Sequence, residues 1–225
     1  MTETLESPKS RIGSAHGAAE EPAGNDDLSP REREIREFVF KNRGALLAAP
    51  AVVLALFGKP SALSVTLGLP LAIAGELVRC WAVGYSGTTT RDNHVVAPEL
   101  VTAGPYAHVR NPLYVGNFIT AVGFAVAFTG KNSPLERLAL LTASLGMMAA
   151  VYMTIVPHEE AYLRSQFGDA FDRYCHNVPP VIPLAEPAPG GKGTWKPSVI
   201  AEAESKTFAT FGAMLAVLAL KAIKA

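Results

Sequence analysis

Four to five long apolar blocks, separated by short polar breaks, limit this chain more than any other feature. From Gly44 to Gly84 the sequence is almost continuously apolar, interrupted at Gly58-Lys59-Pro60-Ser61, where breaker residues supply a turn. That pattern predicts a transmembrane helical hairpin. Its first arm, Gly44 to Phe57, contains Pro50 and falls short of the ~20 residues that usually cross hydrocarbon. The second arm, Ala62 to about Tyr85, is long enough alone. Further blocks run from Leu113 to Phe128, from about Leu138 to Val156, and from Phe208 to Leu220, the last followed by Lys221 and Lys224. A soluble helical protein accommodates one such block in its core, but several in 225 residues leave too little polar surface to cover them. The predicted fold is therefore all-α: a polytopic membrane helical bundle of about five transmembrane helices.

Four segments follow from the same reading. Residues 1–35, rich in Glu, Ser, Gly, Ala and Pro, hold no apolar run suited to a secretory signal and are expected to form a disordered cytoplasmic arm. Residues 36–183 form the membrane domain, 184–206 with Pro-Ala-Pro-Gly-Gly a linker, and 207–225 a C-terminal transmembrane helix. Short loops rich in Lys and Arg stay in the cytoplasm. The arm with Arg31, Arg33, Arg36, Lys41 and Arg43, the segments with Arg91 and Arg110, and the stretch from Arg164 to Lys206 then share the cytoplasmic side. Lys59, Lys131, Arg137, Lys221 and Lys224 fall on the other.

Charge and cysteine usage exclude several classes. The formal charge is zero and no basic aromatic stripe occurs, so nucleic acid is not an expected partner. Cys80 and Cys175 lie far apart without CxxC spacing, which predicts free thiols, with neither a disulfide framework nor a metal site. His158-Glu159 lacks the second histidine of a zinc-protease motif, because Tyr162 stands in its place.

Three constellations remain. Glu76 and Arg79, three apart near a helix end, share a face and can neutralise one another, either as a structural pair or as one wall of a site. The stretch Leu100 to Gly116 is too polar for a span and too apolar for a solvated loop. Within it Gly104-Pro105 sets a turn, Asn111 is a candidate N-cap, and Pro112 suits a first helical position. Backbone N–H groups at such a start can receive an anionic or carbonyl group. Tyr106, His108, Arg110 and Tyr114 are the side chains at hand, and anchoring at the headgroup level is the competing use for them. The third constellation opens with Glu159-Glu160 at the end of the fourth block. Leu163, Phe167, Phe171 and Tyr174 then recur at helical spacing, so this segment should pack back on the bundle.

Taken together, Gly104-Pro105-Tyr106, Arg110-Asn111-Pro112-Leu113-Tyr114-Val115-Gly116, Glu159-Glu160 and Phe167-Gly168-Asp169-Ala170-Phe171-Asp172-Arg173-Tyr174 resemble the isoprenylcysteine carboxyl methyltransferase and phospholipid N-methyltransferase group. The likeness spans about Leu63 to Pro183. It implies an S-adenosylmethionine-dependent methyltransferase whose cofactor pocket lies at the cytoplasmic edge, with a lipophilic or small-molecule methyl acceptor that arrives from membrane lipid. It also implies cofactor contacts at Leu100, Val101, Tyr106, Asn111, Pro112, Leu113, Tyr114 and Glu159; Arg110 and Glu160 are assigned to the acceptor or to local geometry. Pro98 stands where some members carry a histidine. Ile155 stands where the eukaryotic members carry an arginine for the prenylcysteine substrate. The resemblance thus carries fold and cofactor but not acceptor. A phospholipid amine or thiol methyltransferase and a non-catalytic membrane scaffold that keeps the fold are the alternatives.

Overall fold

The computed structural model describes residues 29–87 and 97–224, and every described regular element is helical. The expected arm lies outside the described residues up to position 28. Helix α1, Pro30–Phe57, starts where Ser29 and Glu32 form a reciprocal capping box and Pro30 takes the first turn. The short first arm of the sequence reading is corrected here: the helix has 28 residues. Its first turns, rich in Glu and Arg, are good helix formers that hydropathy does not register. Pro50 sits inside the helix, buried, without ending it.

Helix α2, Ala62–Ser86, opens on a second capping box from Ser61 and Ser64. Helix α3 spans Pro112–Phe128, and α4, Pro134–Phe167, is 34 residues long, continuing past Pro157 where the apolar block had stopped. It ends at Gly168, whose φ of 48° lies in the left-handed region that a side chain disfavours. Glu159 and Glu160 therefore stand inside α4, not beyond its end. The short amphipathic α5, Asp169–Asn177, folds back as expected, burying Phe171 and Tyr174 against Val178, Leu100, Leu163 and Phe167. A single turn, α6 (Ile200–Ala203), leads into α7, Ser205–Lys224, longer at both ends than the apolar block Phe208 to Leu220.

Four helices, α1, α2, α4 and α7, are long and apolar enough to cross a membrane, and α3 is a shorter apolar helix. The chain is a multi-pass integral membrane protein. Lipid gives helices no hydrophobic reason to associate, so close backbone packing must hold them. Between α2 and α3 it does: a Cβ at Gly75 would collide with the Thr120 backbone N, and one at Gly123 with the backbone of Ala72.

Chain direction places α1 start, α2 end, α3 start, α4 end and α7 start at one end of the bundle, here called the motif end. The opposite end is fastened by Lys59 N–H donating to Asn132 Oδ1 (2.8 Å), Lys131 N–H to Lys59 O (2.7 Å), and Lys221 Nζ to Gly58 O (2.8 Å) and Leu56 O (3.1 Å). Lys59, Lys131 and Lys221 thus gather at one end, and Arg43, Arg110 and Arg164 at the other, as the charge distribution had required.

Candidate functional site

Three separate stretches build the motif end. The 3-10 turn Gly104–Ala107 hangs Tyr106 below α2, and its carbonyl accepts the Tyr174 hydroxyl at 2.8 Å, which joins the turn to α5. Residues 178–188 then run back along the motif. Pro179 O accepts Arg110 N–H (2.9 Å), Leu184 N–H donates to His108 O (2.9 Å), and Ala188 N–H donates to Ala107 O (2.9 Å). Farther on, Lys192 O accepts the N–H groups of Thr102 and Ala103, and Lys196 N–H donates to Gly84 O. The stretch read as a linker is strapped to the motif segment by its backbone.

This frame surrounds a cavity of about 790 Å³. Leu100, Val101, Tyr106, Arg110, Asn111, Pro112, Leu113, Tyr114 and Glu159 all line it, although they come from the loops on either side of the 3-10 turn, the turn itself and two helices. Tyr114 on α3 donates its hydroxyl proton to Glu159 Oε1 on α4 at 2.7 Å. Its ring stacks on Tyr152 with centroids 4.4 Å apart, so the donor is fixed from both sides. Among the described residues this is the hydrogen bond assigned to Glu159, and it occupies one carboxylate oxygen. Burial pushes the Tyr106 phenol up to about 12, so it stays a neutral donor at ordinary pH.

Arg110 and Glu160 meet as a fork: Nε to Oε1 at 2.8 Å and Nη2 to Oε2 at 3.1 Å. Arg110 Nη1 also donates to Val178 O (2.7 Å) and Cys175 O (3.3 Å). The pair thereby ties α3, α4 and the chain after α5 together. Glu160 stands behind Arg110, off the cavity wall.

Two sequence readings change. Asn111 occupies the N-cap position but does not cap; its amide donates to Pro180 O at 3.1 Å, because the returning chain competes for it. Arg79 does not turn along its own helix to Glu76. Its Nη2 reaches Glu204 Oε1 (2.7 Å) and Oε2 (2.8 Å), and Nη1 donates to Asn117 Oδ1 (2.7 Å). Glu204, only 1% exposed, drew no notice in the sequence because an acidic residue ahead of an apolar helix ordinarily marks solvent. His108 faces Leu184 O and the Trp81 ring.

The cavity has two halves. Tyr106, Tyr114, Glu159 and Arg43 line the half at the motif end, and Glu76, Arg79 and Asn117 also lie on the wall; the inner half is mainly apolar, with Leu47, Leu54, Phe124, Met148 and Met214, and carries the hydroxyls of Ser144 and Thr210. Ile155, 1% exposed, lines the wall between them.

Residues 63–170 match the family model described as phospholipid methyltransferase. The match covers just under half of the chain. Similar proteins include a protein-S-isoprenylcysteine O-methyltransferase of Schizosaccharomyces pombe, 36% identical over 125 residues, 53% of this chain and 49% of that one. A probable protein-S-isoprenylcysteine O-methyltransferase of Oryza sativa subsp. japonica is 30% identical over 124 residues, 53% and 61% of the two chains. The cobalt-zinc-cadmium resistance protein CzcN of Cupriavidus metallidurans is 32% identical over 129 residues, 57% and 51%. The chain spans about half the length of these relatives, and no solved structure matches it. In the matched segment lie the 3-10 turn, the start of α3, and Glu159 and Glu160; the straps from 178 to 196 and all of α7 lie beyond it.

Proposed function

We propose that this protein transfers a methyl group from S-adenosylmethionine to an acceptor that carries an apolar body, at the cytoplasmic edge of a membrane. The observation that carries this reading is the Tyr114–Glu159 pair in the polar half of a cavity whose inner half is apolar. The donor set fits the cofactor. Glu159 offers a carboxylate to ribose hydroxyls or to an ammonium, and the phenols of Tyr106 and Tyr114 line the same half. When bound, the cofactor supplies an electrophilic methyl on a sulfonium, which leaves by in-line displacement. The protein's own contribution is alignment and exclusion of water: Arg110 and Glu160 lock the loop that carries Tyr106 and Asn111, and the straps close it from outside.

The acceptor follows from the wall at Ile155. An acceptor carboxylate seated there would lose its hydration, and neither Arg79 nor Arg110 is free to meet it, since both forks are engaged with carboxylates. A thiol or another uncharged group meets no such cost; an alkylamine meets none as the free base, after its ammonium proton has gone to solvent, and the neutral nitrogen then takes the methyl as the sulfonium's C–S bond breaks. Lys41, Arg43 and Lys206 also line the cavity, and the Arg43 guanidinium lies over the Phe40 ring.

Purified protein in lipid nanodiscs, given cofactor and either farnesylcysteine or a long-chain amine, separates these cases. The amine should be methylated faster, and Ile155→Arg should raise the rate on the acid. Equal rates on both acceptors in the unmodified protein, lost on the acid alone in Arg43→Ala, would shift the acceptor assignment to a prenylcysteine-like acid held by Arg43. No binding of the cofactor at all would favour the scaffold reading.

A further inference from the structure

The apolar half of the cavity extends far from the chemistry. Glu159 and Ser144 both lie on its wall, and at about 1.5 Å per helical residue they are roughly 22 Å apart along α4. On α1 the wall reaches from Phe40 to Leu54, a similar depth. At the inner limit Leu54, Phe124 and Met214 meet in one buried cluster, and Phe124 and Phe211 pack with ring centroids 5.0 Å apart. Two of these four side chains belong to α7.

Helix α7 lies outside the family match, which ends at residue 170, yet it is fastened to the bundle at both ends. Just ahead of its start, Glu204 is buried in a bidentate pair with Arg79. Near its finish Lys221 binds the last carbonyls of α1. A carboxylate and a guanidinium withdrawn from solvent add little net stability over apolar packing, but they fix a helix in one position and register. Thr207, Thr210, Phe211 and Met214 then face the cavity on successive turns.

We infer that α7 gauges the acceptor: Phe211 and Met214 close the floor of the apolar half and set the longest single tail it takes, and the Arg79–Glu204 pair holds them there. This rests on the proposed methyl transfer to an acceptor with an apolar body, and the test separates the two.

The test uses full-length protein in nanodiscs and a homologous series of straight-chain alkylamines, from tails shorter than the cavity to tails longer than it. Binding is measured by calorimetry and methyl transfer in the same preparations. In the unmodified protein, affinity rises with tail length and stops rising where the tail meets the floor. Met214→Ala and Phe211→Ala move that limit to longer tails by roughly two to three carbons, about the space vacated. Met214→Trp moves it to shorter ones. These opposite displacements do not arise from general misfolding. Leu220→Ala, an exposed α7 position off the cavity, leaves the limit in place. Glu204→Gln blurs it.

A limit that is absent from the unmodified protein, or that stays at one length in every variant, overturns the inference. A limit that moves as stated with no amine methylated supports the floor and removes the amine from the proposed function. Methylated amines with an unmoved limit do the reverse.

Discussion

At the opposite end of the bundle Lys59 and Glu136 form an ion pair with 56% and 46% of their side chains exposed, whereas at the motif end Arg110 and Glu160 pair at 12% and 18%. The first pair joins two adjacent turns that their own caps already hold, Gly58 to Ser61 and Ser133 to Glu136. The second joins a helix start, a helix end and a returning chain that nothing local would bring together. Both ends carry long-range polar contacts, and they differ in burial: the end that holds the pocket keeps its ion pair away from solvent, whereas the opposite end leaves its own exposed.

Removing the cation that faces the more deeply buried carboxylate should show this most strongly. Arg79→Ala leaves Glu204 without its fork in an apolar setting, with an expected loss of about 3–5 kcal/mol, read as a large drop in thermal unfolding temperature. Arg110→Ala should cost about 3 kcal/mol and open the 178–188 segment to proteolysis; Arg110→Lys should restore little, since an ammonium lacks the fork. Lys59→Ala should cost less than about 1 kcal/mol, and that small loss should shrink further in high salt. If Lys59→Ala proves as costly as Arg110→Ala, the contrast between the two ends is wrong.

A finer probe is alkaline pH. Tyr106 titrates in the fold at about 12 against an ordinary value of 10.0, so the folded state holds the proton longer. Its contribution is fully present below pH 10.0 and is lost as pH rises towards about 12. Thermal stability measured across that window should fall less steeply in Tyr106→Phe than in the unmodified protein.

The opposite end was legible in the sequence because its rules are local: Gly58 to Ser61 is a breaker cluster, and the apolar blocks on either side read directly as α1 and α2. The motif end was legible only in part. Tyr106, Arg110 and Tyr114 lie in a stretch too polar for a span and too apolar for a solvated loop, Glu159 is marked by the resemblance, and the structure brings them to one end of one bundle. What they bind within the protein was not readable. Asn111 looked like a cap, but its partner Pro180 lies 69 residues away, and Arg79 looked satisfied by Glu76 although Glu204 lies 125 residues on. Helix limits were misjudged for a related reason: hydropathy marks where lipid ends, while α1 and α4 continue through charged helix formers until a cap or a left-handed glycine stops them.

In the proposed function Glu159, fixed by Tyr114, holds the cofactor. Calorimetric titration of S-adenosylmethionine into the unmodified protein and into Glu159→Gln tests it most directly, with unfolding temperatures recorded alongside. A charge-assisted hydrogen bond to ligand contributes about 1.5–3 kcal/mol, so affinity should fall roughly ten- to a hundredfold while the unfolding temperature changes little. Equal affinity in the two proteins would contradict the assignment and move the cofactor away from the Tyr114–Glu159 pair.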